Sequence, residues 1–113
     1  MARLLVLSLA TSTAAAIAAS SIRNRELARQ LIRSSSSVAL NLAEGNGRRG
    51  RDRVHFFRMA YASAQEAKTT IEILAKSGAV DIETARQWYR QMHRIGGMIW
   101  GMMKHGGRMT DDG

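Results

Sequence analysis

The sequence predicts an all-α fold built from four packed helices, and three observations lead there. Proline is absent from all 113 residues, so nothing breaks a long helix from within. Seven methionines and abundant alanine, with aromatics at only 5%, favour helix over strand. Apolar residues then recur at steps of three and four in three separate segments, which is the helical period. Cysteine is also absent, excluding a disulfide framework and a thiolate metal site. A chain of this length reads as one domain, a bundle over residues 1–105 with a flexible, frayed tail at 106–113.

Residues 1–22 admit two readings. Arg3 followed by Leu4, Leu5, Val6, Leu7 and Leu9, with Ala16-Ile17-Ala18 beyond, imitates a secretory signal with a small-residue cleavage site. The polar break at Thr11-Ser12-Thr13 favours the other reading, an alanine-rich first helix buried on most of its circumference. The apolar run falls short of the roughly 20 residues that span a bilayer.

The second helix is predicted from about Glu26 to Glu44, with Asn24 as its N-cap. Leu27, Leu31, Val38 and Leu42 form its apolar stripe. Ser34, Ser37, Asn41 and Glu44, spaced at three and four, share a face beside it. Serine is a mediocre helix former, so most of these residues serve close helix approach and bond back to their own carbonyls. Asn41 has the character of a seam asparagine that fixes register or oligomer state. Gly45 is expected to end the helix as a left-handed C′ residue.

The third helix is expected to start with Asp52 as N-cap and to close at Gly78. Its seam is Phe57, Ala60, Ala64, Ala67, Ile71 and Leu74, narrow because alanine fills the middle. Ser63, Glu66 and Thr70 run beside it. If the second and third helices lie antiparallel, these two polar rows face each other, with Glu44 and Glu66 pairing to arginines such as Arg58; otherwise they face solvent. The fourth helix is capped by Asp81 and buries Trp88, Met92, Ile95, Ile99 and Met102. Gly96, Gly97 and Gly101 sit within it and call for close contact, a kink or fraying.

Between the second and third helices lie Gly45-Asn46-Gly47-Arg48-Arg49-Gly50-Arg51-Asp52-Arg53. The glycines match the dinucleotide-binding spacing, but a strand must precede that motif, and here a helix does. What remains is four arginines, Arg48, Arg49, Arg51 and Arg53, at the start of a helix. Guanidinium forks and free backbone N–H groups together make an anion cradle. The net charge of +8 agrees with a polyanionic partner without fixing the fold.

No enzyme site assembles from these residues. His55, His93 and His105 lack partners at metal-binding spacing. Asp52-x-x-His55 is a lone fragment of the paired pattern that a di-iron bundle needs. No nucleophile elbow accompanies the serines. The chain is expected to be non-enzymatic, with no metal and no cofactor.

The pattern Ser37-x-x-x-Asn41-Leu42-Ala43-Glu44-Gly45-x-Gly47-Arg48, then Phe57 and Ala60-x-x-Ser63-x-x-Glu66, resembles the four-helix-bundle proteins of 23S rRNA intervening sequences. That family includes relatives of the accessory variability determinant of diversity-generating retroelements. The resemblance covers about Glu26 to Gly106, and the first helix matches in kind only. A proline that often precedes the asparagine in the family is replaced here by Ala39-Leu40. The resemblance implies an up-down antiparallel four-helix bundle that assembles into a homopentameric ring. For the retroelement branch it implies a basic surface contacting a reverse transcriptase and its template RNA. It carries no catalytic residues; the positions it transfers are structural, namely Ser37, Asn41, Glu44, Gly45, Ser63 and Glu66.

Two functional expectations follow. One is a cytoplasmic, oligomeric adaptor binding RNA or DNA through Arg48, Arg49, Arg51 and Arg53, beside a protein partner. The other is a structural homo-oligomer with no nucleic-acid ligand, whose arginines pair with acids of neighbouring subunits.

Overall fold

The computed structural model describes residues 2–108, with side chains as far as Lys104. Four helices follow in order: α1 (Ala2–Ala18), α2 (Arg25–Asn46), α3 (Gly50–Ser77) and α4 (Ile82–Arg108). Short connections force each helix to run antiparallel to the one before it. Every helix packs on two neighbours, α1 on α2 and α4, and α3 on α2 and α4, while diagonal pairs do not touch. The result is a closed four-rod bundle measuring 47 × 19 × 18 Å. No helix among the described residues is long and apolar enough to cross a membrane.

The predicted seams form the core. Phe57, Ala60, Ala64, Ala67, Ile71 and Leu74 of α3 are all buried, and they meet Leu31, Val38 and Leu42 of α2 and Trp88, Met92, Ile95 and Ile99 of α4. Leu27 and Met102 are half-buried at the margins of this core. Caps behave as their chemistry requires. The Asn24 side chain accepts from the Leu27 amide at 2.9 Å. The Asp81 carboxylate accepts from the amides of Glu83 and Thr84 at 3.2 and 3.3 Å. Gly78 closes α3 in the left-handed region at φ 74°. Across this end of the bundle Arg23 ties the two loops together, its amide donating to Ala79 O at 3.2 Å and its guanidinium to Gly78 O at 2.8 Å.

Four expectations need correction. α1 is a helix, but only Val6, Ala10, Thr13 and Ile17 are buried. Touching two neighbours covers one stripe, and Leu4 remains 63% exposed. α2 does not end at Gly45; it continues to Asn46, with Gly47 as C-cap at φ −89°. Gly45 is glycine for another reason: a Cβ there would lie 2.6 Å from Phe57 Cε1 and 2.7 Å from Cδ1. The bare backbone seats the Phe57 ring. Asp52 does not cap α3, because Arg49 holds the N-cap position without a side-chain cap. The chain enters α3 through Gly50 at φ 55°, and the Asp52 carboxylate turns back to Arg48 at 3.3 Å. Finally, α4 continues through Gly106 and Gly107 to Arg108, since glycine weakens a helix without stopping it. Of the expected tail, residues 109–113 lie outside the described residues.

Candidate nucleic-acid interface

The polar rows of α2 and α3 do meet. Ser63 Oγ donates to Ser37 Oγ at 2.9 Å, and the Asn41 amide donates to Ser37 Oγ at 3.0 Å and to Ser37 O at 2.9 Å. Ser34, Ser35 and Thr70 bond back to carbonyls one turn earlier, so these small polar groups are satisfied inside the seam. The two glutamates of the rows stay exposed. Glu44 pairs with Arg48 rather than Arg58, and no ion pair reaches Glu66 among the described residues. The reason is geometric: Arg48 lies within reach of Glu44 in the turn, whereas Glu66 lies about 20 Å further along α3 than Arg53 by the rise of an α-helix.

The seam sets where the turn sits. Phe57 against Gly45 fixes the end of α2 beside the start of α3, leaving three residues to reverse the chain. Amides of Gly47 and Arg48 donate to Glu44 O and Gly45 O at 3.1 and 3.0 Å, closing the last turn of α2. The four arginines then divide into two kinds. Arg48 is pinned, with Nη2 2.7 Å from Glu44 Oε2, Nη1 3.3 Å from Asp52 Oδ2, and the guanidinium 4.8 Å over the Phe56 ring. The hydrogen bond to Glu44 holds its pKa above the ordinary arginine value. Arg53 folds inward, its Nε donating to Gly45 O at 3.3 Å. Arg49 and Arg51 are exposed, and among the described residues neither side chain has a partner.

Two acids, Glu44 and Asp52, offset part of this charge, so the turn carries four cations against two anions. The antiparallel fold adds cations that are remote in sequence. Asn46 donates to Arg3 O at 3.5 Å, which places the start of α1 at this end. Exposed Lys104, near the end of α4, lies at the same end. Only the topology could reveal these two. Elsewhere His55 and His93 stand apart, and no three His, Asp or Glu side chains converge among the described residues.

The fold and this site define a class: an antiparallel four-helix bundle that presents a cationic turn at one end. The profile of the 23S rRNA-intervening sequence protein family matches residues 3–101, and the chain belongs to that family. The match takes in α1 as well as the segment whose motif carried the resemblance. A protein of unknown function from the S23 ribosomal protein family of Bacteroides thetaiotaomicron has the same fold, with a TM-score of 0.85 over 92% of this chain and 99% of that one. The two sequences are 19% identical. No curated protein is significantly similar in sequence.

Proposed function

We propose that this protein is a non-enzymatic, cytoplasmic adaptor that binds RNA or DNA by its phosphates. The observation that carries the reading is the exposed, unpartnered pair Arg49 and Arg51, set beside an Arg48 already held in one orientation by Glu44 and Asp52. Unpartnered guanidinium forks need break no ion pair to grip a phosphate, and each planar fork loses less side-chain freedom per hydrogen bond formed than a lysine would. The family name, which refers to ribosomal RNA, supports the same class of partner. Phosphate contacts carry no base information, so binding through the turn is weakly sequence-specific and falls with salt. The family resemblance extends the proposal to a ring of identical subunits, five in number, that multiplies the patch, and to a reverse transcriptase as the protein partner.

Binding of RNA measured by anisotropy across a salt series tests the reading. Replacing Arg49 and Arg51 by alanine is expected to flatten the slope of log affinity against log salt by about 1 for each lost phosphate contact. Affinity that ignores ionic strength, or a slope unchanged in the double variant, discards the proposal.

The second reading is a structural homo-oligomer without a nucleic-acid ligand, whose arginines pair with acids of neighbouring subunits; it shares the assembly of identical subunits with the first. α1 leaves Leu4 and Leu5 exposed on a helix with a single charge, a surface suited to another subunit. On that reading, loss of Arg49 and Arg51 alters assembly rather than RNA binding. Light scattering on the same double variant separates the two.

A further inference from the structure

A groove of about 240 Å³ runs along the outer seam between α3 and α4. Its α4 side is formed by His93, Gly96, Gly97 and Trp100. A Cβ at Gly97 would meet nothing within 4 Å, and one at Gly96 would make only ordinary contacts, with Tyr61 Cε1 at 3.9 Å and Gln65 Oε1 at 4.0 Å. Packing therefore does not demand these glycines, which weaken the middle of a long helix. Their effect is to keep the groove open.

The chain has six aromatic residues of the Phe, Tyr and Trp types, and three of them gather on or beside this groove. Tyr61 and Trp100 lie with ring centroids 5.5 Å apart, and Trp100 is 53% exposed. Tyr89 stacks on His93, whose Nδ1 is 3.3 Å from the Lys68 ammonium. The margin is cationic. Arg58 lies one turn before Tyr61 on α3 and Lys104 one turn beyond Trp100 on α4, both exposed and both on the side of the arginine turn. By the rise of an α-helix, Tyr61 is about 16 Å along α3 from that turn. A few nucleotides of an extended strand cover this distance.

We propose that the groove receives an unstacked base of single-stranded nucleic acid. The base stacks on Trp100 while the flanking phosphates run past Lys104 and Arg58 toward Arg49 and Arg51. Aromatic faces combined with a cationic path for the backbone are what sequence-tolerant single-strand binding uses. A docked amphipathic helix would instead need a continuous apolar channel, and this one is interrupted by Lys68, Gln65 and His93. A duplex keeps its bases stacked and out of reach. The inference rests on the nucleic-acid reading above and adds to it a preference for single strands.

The test compares three probes at one moderate salt concentration: a single-stranded oligouridylate, an RNA duplex, and heparin, a polyanion without bases. Trp100→Ala is expected to weaken oligouridylate binding about 5- to 100-fold and to leave duplex and heparin affinities within about twofold. Gly97→Leu, which fills open space, gives the same pattern by blocking the groove. Trp100→Phe retains most of the affinity. Tryptophan emission of the wild type falls on saturation with oligouridylate; the other tryptophan, Trp88, is only 6% exposed and stays bright. If wild-type binding is salt-dependent but Trp100→Ala and Gly97→Leu bind oligouridylate like the wild type, the base site is overturned and the phosphate-binding turn stands. If either variant changes the mass seen by light scattering, the groove is a contact between copies, which also overturns it. If the wild type binds none of the three probes, both proposals fall together.

Discussion

The α2–α3 seam and helix α1 are opposites in how sequence relates to burial. α1 has a single charged residue, yet it buries one narrow stripe and leaves Leu4 63% and Leu5 49% exposed. α2 and α3 are rich in arginine, serine and glutamate, yet they form the most extensive seam in the bundle. There Gly45 receives the Phe57 ring, and Ser37, Asn41 and Ser63 close a hydrogen-bonded latch. Apolar content sets what a helix can bury; its place in the ring of four decides what it does bury. The seam also fixes the turn on which Arg48, Arg49 and Arg51 are displayed.

The contrast predicts that the seam breaks hard. Phe57→Ala removes a fully buried ring and is expected to cost about 3–5 kcal/mol of stability, read from chemical denaturation. Gly45→Ala adds one methyl group and improves helix propensity by up to ~1 kcal/mol. Because the added Cβ lies 2.6 Å from Phe57 Cε1, it is nevertheless expected to destabilise by about 1–3 kcal/mol. Combining Gly45→Ala with Phe57→Leu restores part of that loss, the non-additivity expected of residues in contact. A neutral or stabilising Gly45→Ala would show that the two helices separate easily, and the seam would lose its special status.

The latch is the next weaker element. Asn41→Ala removes hydrogen bonds to Ser37 O and Oγ and is expected to cost about 1 kcal/mol. Ser63→Ala costs less, because Ser37 Oγ keeps the Asn41 amide as a donor. Denaturation of both single variants and the double variant measures the coupling. Strict additivity would mean that the groups do not act as one network.

How much of this was legible in the sequence depended on the range of the interaction. The α3 seam was readable in full because steps of three and four are a property of one helix. Asn24, Gly78 and Asp81 were readable because a cap is a transaction within one turn. Gly45 was misread because a glycine before Asn46-Gly47 looks like a helix stop, while its real constraint, Phe57, sits on the next helix. The division among the arginines was hidden too. Glu44, Arg48 and Asp52 are spaced four apart, but they straddle the turn between α2 and α3, so pairing rules for one helical face do not reach them and the two contacts of Arg48 come from the geometry of the turn. The groove was not legible at all, since Tyr61 and Trp100 meet only when α3 and α4 pair.

The smallest expected effect on the fold belongs to the outer face of α1, and it sharpens the contrast most. Leu4→Lys with Leu5→Lys replaces side chains that lie outside the buried core, so stability at low protein concentration should shift by no more than about 0.5 kcal/mol. Any larger loss would mean that this face is buried in the working form of the protein. If wild-type protein sediments as an oligomer, sedimentation of the same variant settles which surface assembles its subunits; a monomeric wild type removes the ring from the proposal. If α1 provides the interface, the lysines dissociate the oligomer while Arg49→Ala with Arg51→Ala leaves it intact. RNA binding is read instead from Leu4→Gln with Leu5→Gln, which adds no cation at the arginine end of the bundle; it should weaken where the oligomer dissociates, because several linked patches bind a polyanion more tightly than one. An oligomer that persists with both lysines in place would move the interface elsewhere, and the exposed leucines would be ordinary surface residues of the kind most proteins carry.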